Sequence, residues 1–581
     1  MEKRWSIKPK GDEKTVEHLK EVLRIHPVLA NLLAQRGVTN YEEAKAFFRP
    51  KLTDLHNPFL MKDMEEAIKR LDMAFRKKEK ILIYGDYDVD GTTSVALVYT
   101  FLKLHYDNLD YYIPDRYNEG YGISFKGIDH AAETGASLVI ALDCGIKAVE
   151  KMKYAKEKNV DFIICDHHTP GDELPDAVAI LDPKREDCNY PDKDLSGCGV
   201  GFKFMQGFCR YKDYKESQLM DLIDLVVVSI ASDIVPLVGE NRILAYYGLK
   251  KLNKDPLTGL HSIIKVAGLE DKEEINISDI VFKIGPRINA AGRIESGRDA
   301  VDLLISKHEH LAKEMSDEIN VRNETRKDLD RNITQEAYDL IANDEEQLKK
   351  KTTVLYNPEW HKGVIGIVAS RLIETFYRPT IILTESKGFA TGSARSVDGF
   401  DLYSAIDACS DLLENFGGHM YAAGLTLKIE NVPAFIERFE QVVSEMITSD
   451  QLIPQIDIDS KLHLKDITKK FYNVLKQFRP FGPGNMNPVF VTNNVFDYGT
   501  SKQVGRDNEH LKVELIEEHS AAIMQGIGFS MGNLLDRVKN EAPFEVCYTI
   551  DENTYNGMTS IQLMLKDIRF PKKDAISDNI R

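Results

Sequence analysis

Along the first half of the chain, short apolar runs stop abruptly at acidic positions. Ile81-Leu82-Ile83-Tyr84 ends at Gly85-Asp86, Leu138–Leu142 at Asp143, and Phe162–Cys165 at Asp166. A fourth run, Leu225–Ile230, precedes Asp233 and reads equally as a strand or as a buried helix. Helical patterns over Thr93–Leu104 and Lys147–Lys158 separate the runs. Buried strands alternating with helices predict a parallel α/β sheet, and such sheets collect ligands at the carboxyl ends of their strands.

Further along, residues 308–350 are densely charged, free of proline and helical in period, which predicts a long helix or helix pair. A second α/β region is expected over 351–448. Residues 452–570 alternate short strands with glycine turns and predict a small β domain, while 1–55 mix helix and loop. The α/β sheet with its connecting helix is expected to fill 56–307 and 308–350. At 581 residues the chain is too long for one core. No apolar run approaches the roughly 20 residues of a membrane span, and no secretory signal opens the sequence. Seven cysteines without a CxxC pair argue against a disulfide framework, so a cytoplasmic location is expected. The net charge of −17 disfavours nucleic-acid binding over the whole surface but leaves room for a local basic channel.

Asp86-Tyr87-Asp88-Val89-Asp90-Gly91 sets three carboxylates at spacing two after an apolar run. Such crowding is costly unless a cation offsets it. An EF-hand loop would need a glutamate where Leu97 stands, and a P-loop would need a lysine before Thr92-Thr93. A solvated acidic turn remains the plain alternative. Asp166-His167-His168, Asp143 and Asp233 extend the set. Each aspartate alone suits a helix N-cap, and a His-His pair alone is usually structural. Together they suit Mn²⁺ or Mg²⁺ better than zinc. Two such ions about 4 Å apart hydrolyse phosphate esters, with Asp143 the candidate bridge.

These residues resemble the DHH phosphoesterase superfamily and, within it, the RecJ family of single-stranded-DNA-specific 5′→3′ exonucleases. The likeness covers about residues 50–570. Tyr84–Gly91, Leu142–Gly145 and Ser232–Leu237 are similar to motifs I, II and IV, and Asp166-His167-His168 to the motif that names the superfamily. Gly285–Arg293 is similar to a DNA-phosphate segment, and Gly392–Ser396 and Phe416–His419 to the two substrate motifs of a DHHA1 domain. The resemblance implies a DHH domain, a DHHA1 domain and a C-terminal OB-like barrel that binds single strands. It implies that Asp90, Asp143, His167 and Asp233 hold one metal, and that Asp86 or Asp88 with Asp143 hold the other. His168 would sit beside the scissile phosphate, and Asp166 would orient a ligand histidine. Asn289, Arg293, Ser393, Arg395 and His419 would contact substrate, with Arg116 and Tyr121 where the strand enters. Tyr84 stands where many relatives carry histidine, so the first ion would rest on carboxylates and water. Single-strand-binding protein and a helicase are typical partners of the family, and a monomer is expected.

The bland readings stay beside these. Gly392–Ser396 suits an ordinary turn, Gly417-Gly418-His419 a glycine turn before a helix, and Arg287–Arg293 a surface loop. A hydrolase of small phosphodiesters or pyrophosphate would generally lack the Arg293 segment and the C-terminal β domain. A non-catalytic replication factor would have lost metal ligands, which are all present. No residue marks a test for the 2′-hydroxyl, so RNA stays open.

Overall fold

The computed structural model describes residues 3–571 apart from 295, 541 and 556. Two compact units form: Leu52–Pro454, and the chain up to Lys51 together with the chain from Gln455.

The first unit opens on five parallel strands: β1 (Lys80–Gly85), β2 (Leu109–Tyr112), β3 (Ala136–Leu142), β4 (Asp161–Cys165) and β5 (Ala179–Leu181), in the order β2-β1-β3-β4-β5. Side chains alternate between two buried faces, Leu82, Val139 and Phe162 on one and Ile81, Ile140 and Ile163 on the other, as expected of a sheet covered on both sides. The register matters most for function. Gly85 pairs with Leu142, Leu142 with Cys165, and Cys165 with Leu181. The residues that follow (Asp86, Asp143, Asp166 and Asp182) therefore leave the sheet side by side.

On the second face α1 (Val89–Lys103) and α2 (Gly197–Lys212) pack against the sheet, and α3 (Ile223–Ser232) packs behind them. The Leu225–Ile230 run is thus the buried helix, so Asp233 follows a helix and not a strand. Its apolar residues are continuous because every side of α3 is packed, and periodicity carries no information there. A π-helical turn, Ile280–Ile284, leads into α4 (Gly285–Ile294). The surface loop offered as the plain alternative for this segment is therefore replaced by a largely buried helix. The charged stretch forms one helix, α5 (Glu309–Ala342), followed by a short helix, Glu345–Lys349.

A second sheet carries β6 (Thr353–Tyr356), β7 (Thr380–Ser386), β8 (Phe389–Arg395), β9 (Asn415–His419) and β10 (Ala422–Leu427) in the order β9-β10-β8-β7-β6, with α6 (Ile365–Phe376) packed on it. Ser393 and Arg395 sit on β8, and His419 ends β9 of a hairpin, so neither glycine-rich motif is the turn its composition suggested.

In the other unit Phe490–Asp497 pairs with both Phe544–Tyr555 and His510–Glu517 within a seven-stranded sheet. The N-terminal residues join this unit: Arg4–Ile7 lies parallel to Gln455–Ile458, and Arg36 donates to Asn485 Oδ1 at 2.7 Å. All seven cysteines are buried and unpaired. No helix among the described residues is long and apolar enough to cross a membrane.

Candidate metal centre

Asp86, fully buried, accepts Gly122 N–H at Oδ1 (3.1 Å), while its Oδ2 has no partner. Asp88 caps α1 by accepting Gly91 N–H at 3.0 Å. Gly91 is required here because a Cβ would lie 2.4 Å from Asp86 O. Asp90, one residue into α1, receives Gly197 N–H (2.7 Å) at Oδ2 and Cys198 N–H (2.8 Å) and Ser229 Oγ (2.7 Å) at Oδ1. The N-terminus of α2 thus anchors Asp90, where free N–H groups and the helix dipole favour an anion. Asp143 adopts φ +58°, a conformation aspartate tolerates better than most residues, and turns sharply off β3.

These elements bring four side chains to one point. His167 Nε2 lies 3.2 Å from Asp143 Oδ1, 3.6 Å from Asp233 Oδ2 and 3.7 Å from Asp90 Oδ2. Both ring nitrogens of His167 are buried without a hydrogen-bond partner. Among the described residues, the sets whose ligand atoms lie within 4.8 Å of one another are Asp90, His167, Asp233 and Asp143, His167, His168. Asp86 and Asp88 adjoin these sets without belonging to either.

The electrostatics show which ligands the cluster favours. Burial, then Asp90, Asp88 and Asp233, push the Asp143 carboxyl well above the usual range. Burial, then Asp90 and Asp88, raise Asp233 to about 8. Asp86 is driven up by burial and Asp88, and Asp88 by burial and Asp90. Converging carboxylates, an imidazole with no partner and an orphan Asp86 oxygen are the donor set of divalent oxygen- and nitrogen-seeking cations.

Asp166 behaves differently. It accepts Ile146 N–H, His167 N–H and the His168 ring Nδ1–H at 2.8, 2.7 and 2.7 Å. The histidine it orients is therefore His168, whereas His167 Nδ1 has no such support. Burial opposes the charge on His168, but the Asp166 bond and the nearby acids win and hold its pKa at about 9. His168 Nε2 meets Tyr121 OH at 3.1 Å, which itself donates to Asp143 O. The Tyr84 hydroxyl turns away from the acids: it donates to Gly122 O at 2.9 Å and accepts Ser124 N–H, bracing the loop that anchors Asp86.

A cleft of about 250 Å³ runs along Asp88, Asp90 and Asp233 to Asn289 and Arg293. Arg293 donates to Gly363 O at 2.9 Å, and burial followed by Arg116, Arg326 and Arg395 lowers its pKa to about 10. Arg287 is instead structural, spent on Asn320, Lys283 O and Val266 O. Arg395 donates to Ser393 Oγ at 2.9 Å. Both face the start of α6, where a Cβ on Gly366 would meet each at 2.9 Å. The glycine leaves that helix end approachable by a phosphate. Arg116 stacks over Tyr87 at 4.9 Å. His419 is not in this cleft but lines a second one, of about 690 Å³, with Tyr121, Lys147 and His168.

Sequence reasoning missed Gly197, Cys198 and Ser229. The available signals were the glycine-rich Ser196–Gly201 opening a helix and the lone hydroxyl in the Leu225–Ile230 run. It also missed Asp182, which the strand register lines up with Asp166 and which burial raises to about 7.

Comparison with known proteins agrees with this geometry. The profile described as "DHH family, N-terminal domain" matches residues 80–230, "DHHA1 domain" residues 349–445 and "RecJ OB domain" residues 458–567. The single-stranded-DNA-specific exonuclease RecJ of Bacillus subtilis is 38% identical over 97% of this chain and 70% of its own length. Its counterpart from Escherichia coli is 32% identical over 93% and 96%. The crystal structure of RecJ in complex with Mn²⁺ from Thermus thermophilus superposes with a TM-score of 0.83 at 25% identity, covering 98% of this chain and 80% of that one. With this identity across nearly the whole chain and the same three domains in order, the protein belongs to the RecJ family of single-stranded-DNA-specific exonucleases.

Proposed function

We propose that this chain degrades single-stranded DNA from the 5′ end to 5′-mononucleotides, using two divalent ions, Mn²⁺ or Mg²⁺. The observation that carries the reading is the convergence of Asp90, Asp143 and Asp233 on the unpartnered Nε2 of His167. Asp90, Asp143, His167 and Asp233 would hold one ion, and Asp86 or Asp88 with Asp143 the other. Cations bound there supply a nucleophile from water and a counter-charge for the phosphate oxygens. That set also counts against a non-catalytic role, because nothing else among the described residues satisfies His167.

The chain's own residues do the rest. His168, protonated and steered by Asp166 at Nδ1, points Nε2–H at the Tyr121 hydroxyl, and exchanging that bond for one to substrate would let the N–H donate to a phosphate oxygen or to the leaving oxygen. Tyr121 positions His168. Arg293 and Asn289 grip the strand along the cleft, and a planar guanidinium suits a phosphate through two parallel hydrogen bonds. Ser393 and Arg395 at the α6 N-terminus, with Arg116, would take the 5′ phosphate. His419 in the wider cleft would contact a nucleotide unit. The C-terminal β domain would bind unpaired strand through cations and stacked bases.

The test is degradation of a 5′-labelled oligonucleotide with Mn²⁺, alongside Asp143→Ala. The expected result is mononucleotide release by the wild type alone, with strand binding retained by the variant. Equal cutting of a blunt duplex would remove the single-strand assignment.

A further inference from the structure

The cleft holds one cation that no motif announces. Arg326 lies on α5 and lines the cleft opposite Asp90 and Asp233, beside Arg293 and Asn289. Its Nε is buried without a hydrogen-bond partner, and its guanidinium donates to Asn323 Oδ1 at 3.2 Å. The acids near it on α5 are already engaged. Asp330 pairs with Arg371 at 2.7 Å, and Glu324 pairs with Lys327 at 2.8 Å. Arg326 makes no ion pair among the described residues.

Its surroundings make that isolation costly. Arg326 adds to the positive field on both Arg287 and Arg293. Asp330 and Glu324 attract Arg326 and Arg371 repels it, but neither acid pairs with it, and a half-buried guanidinium with an unpartnered Nε is satisfied when an anion enters. The facing wall is the carboxylate cluster, whose own charge is committed to cations. An anion that touches both walls is a phosphodiester.

We infer that Arg326 binds a backbone phosphate of the nucleic-acid strand, paired with Arg293 across the cleft from the metal centre. The inference rests on the phosphodiesterase reading above and adds a residue to it. Because Arg326 comes from the helix joining the two sheets of this unit, strand binding engages that helix directly.

The experiment measures oligo-dT affinity over about 50–200 mM salt in full-length protein carrying Asp143→Ala to prevent cutting. Neutralising one phosphate contact on a single strand lowers the slope of log K against log salt by about 0.7. Arg326→Gln should weaken binding about tenfold and reduce the slope by that amount. Arg326→Lys should keep the slope, and Arg331→Gln, which removes an exposed cation of the same helix paired with Asp328, should leave it unchanged. An unchanged slope in Arg326→Gln, or an equal drop in Arg331→Gln, overturns the inference. Should Arg326→Gln be too unstable to measure, Arg326→Lys in the active enzyme decides: kcat/KM should fall severalfold at an unchanged melting midpoint, and a wild-type kcat/KM overturns the inference. Failure of the parent protein to bind oligo-dT counts instead against the phosphodiesterase reading.

Discussion

Replacing Asp166 by asparagine tests the electrostatics of the site at a residue outside both converging ligand sets. Asp166 is 1% exposed and accepts at both oxygens: His167 N–H, His168 N–H and His168 Nδ1–H at Oδ1, and Ile146 N–H at Oδ2. Burial works against its charge, yet the His168 bond and charge and the Ile146 N–H draw its pKa from 3.8 down to about 2. A depression of that size corresponds to about 2–3 kcal/mol of stability. The sign follows from the direction of the shift. The contribution is complete above the unfolded pKa near 4 and disappears as pH falls from there through 2. Asparagine keeps one acceptor oxygen, so either the Ile146 bond or the three bonds on the histidine side are lost. Urea unfolding of metal-free Asp166→Asn at pH 7 should show a loss of about 2–3 kcal/mol. The His168 ring, followed by NMR in the same sample, should titrate at least ~1 unit below its wild-type position near 9. A stability within about 0.5 kcal/mol of wild type, or an unmoved His168 titration, would refute the reasoning.

Asp143→Ala should cut hydrolysis at least ~10³-fold and abolish the Mn²⁺-dependent rise in melting temperature, which for a site at about 100-fold excess over Kd corresponds to ~2.7 kcal/mol in the wild type. A retained Mn²⁺ shift would remove Asp143 from the metal centre. Gly197→Ala places a Cβ 2.6 Å from Asp143 Cβ and 2.8 Å from its Oδ1. Such overpacking should cost ~1–3 kcal/mol and most of the activity, and full activity in a steady-state assay would show that Asp143 has room to move. Asp224, buried with Leu257 N–H as partner, is raised to about 6. A raised carboxyl is stabilising below pH ~4 and loses that contribution as pH climbs through 6. Wild type should therefore lose about 3 kcal/mol relative to Asp224→Asn between pH 4 and 7, and urea midpoints that move in parallel would contradict this.

The sheet was legible because each β1, β3 and β4 run is short, apolar and closed by an acid, and each buries both faces. The cluster was legible for the same reason, since like charges at spacing two beside buried strands have few uses without a cation. α3 was not, because a run packed on every side shows neither period 2 nor period 3.6. Ser393, Arg395 and His419 read as turn residues because small residues and glycine dominate their strands. Those strands leave room for Gly366 and the hairpin partner, a tertiary requirement that no local pattern expresses. The anchoring of Asp90 by Gly197 and Cys198 joins positions 107 and 108 residues apart, and nothing in either segment names the other.

Hydrogen-bond donors are distributed unevenly over the acids, and the distribution has a logic. Asp166 and Asp90 each receive four donors, while Asp86 and Asp88 each receive one. The carboxylates of Asp143 and Asp233 receive none among the described residues. Asp166 falls to about 2, whereas Asp86, Asp88, Asp143 and Asp233 are all raised, Asp233 to about 8. A fold that could supply donors to every acid would produce a rigid, satisfied cluster with no affinity left for a cation. Here the backbone fixes the periphery through Gly197, Cys198 and Ile146 and leaves the centre, Asp143, Asp233 and His167, without partners. The unsatisfied charge is thus concentrated where a cation would relieve it. Filling that gap with a neutral side chain would stabilise the fold and remove the function, a trade expected wherever a site is built from strained electrostatics.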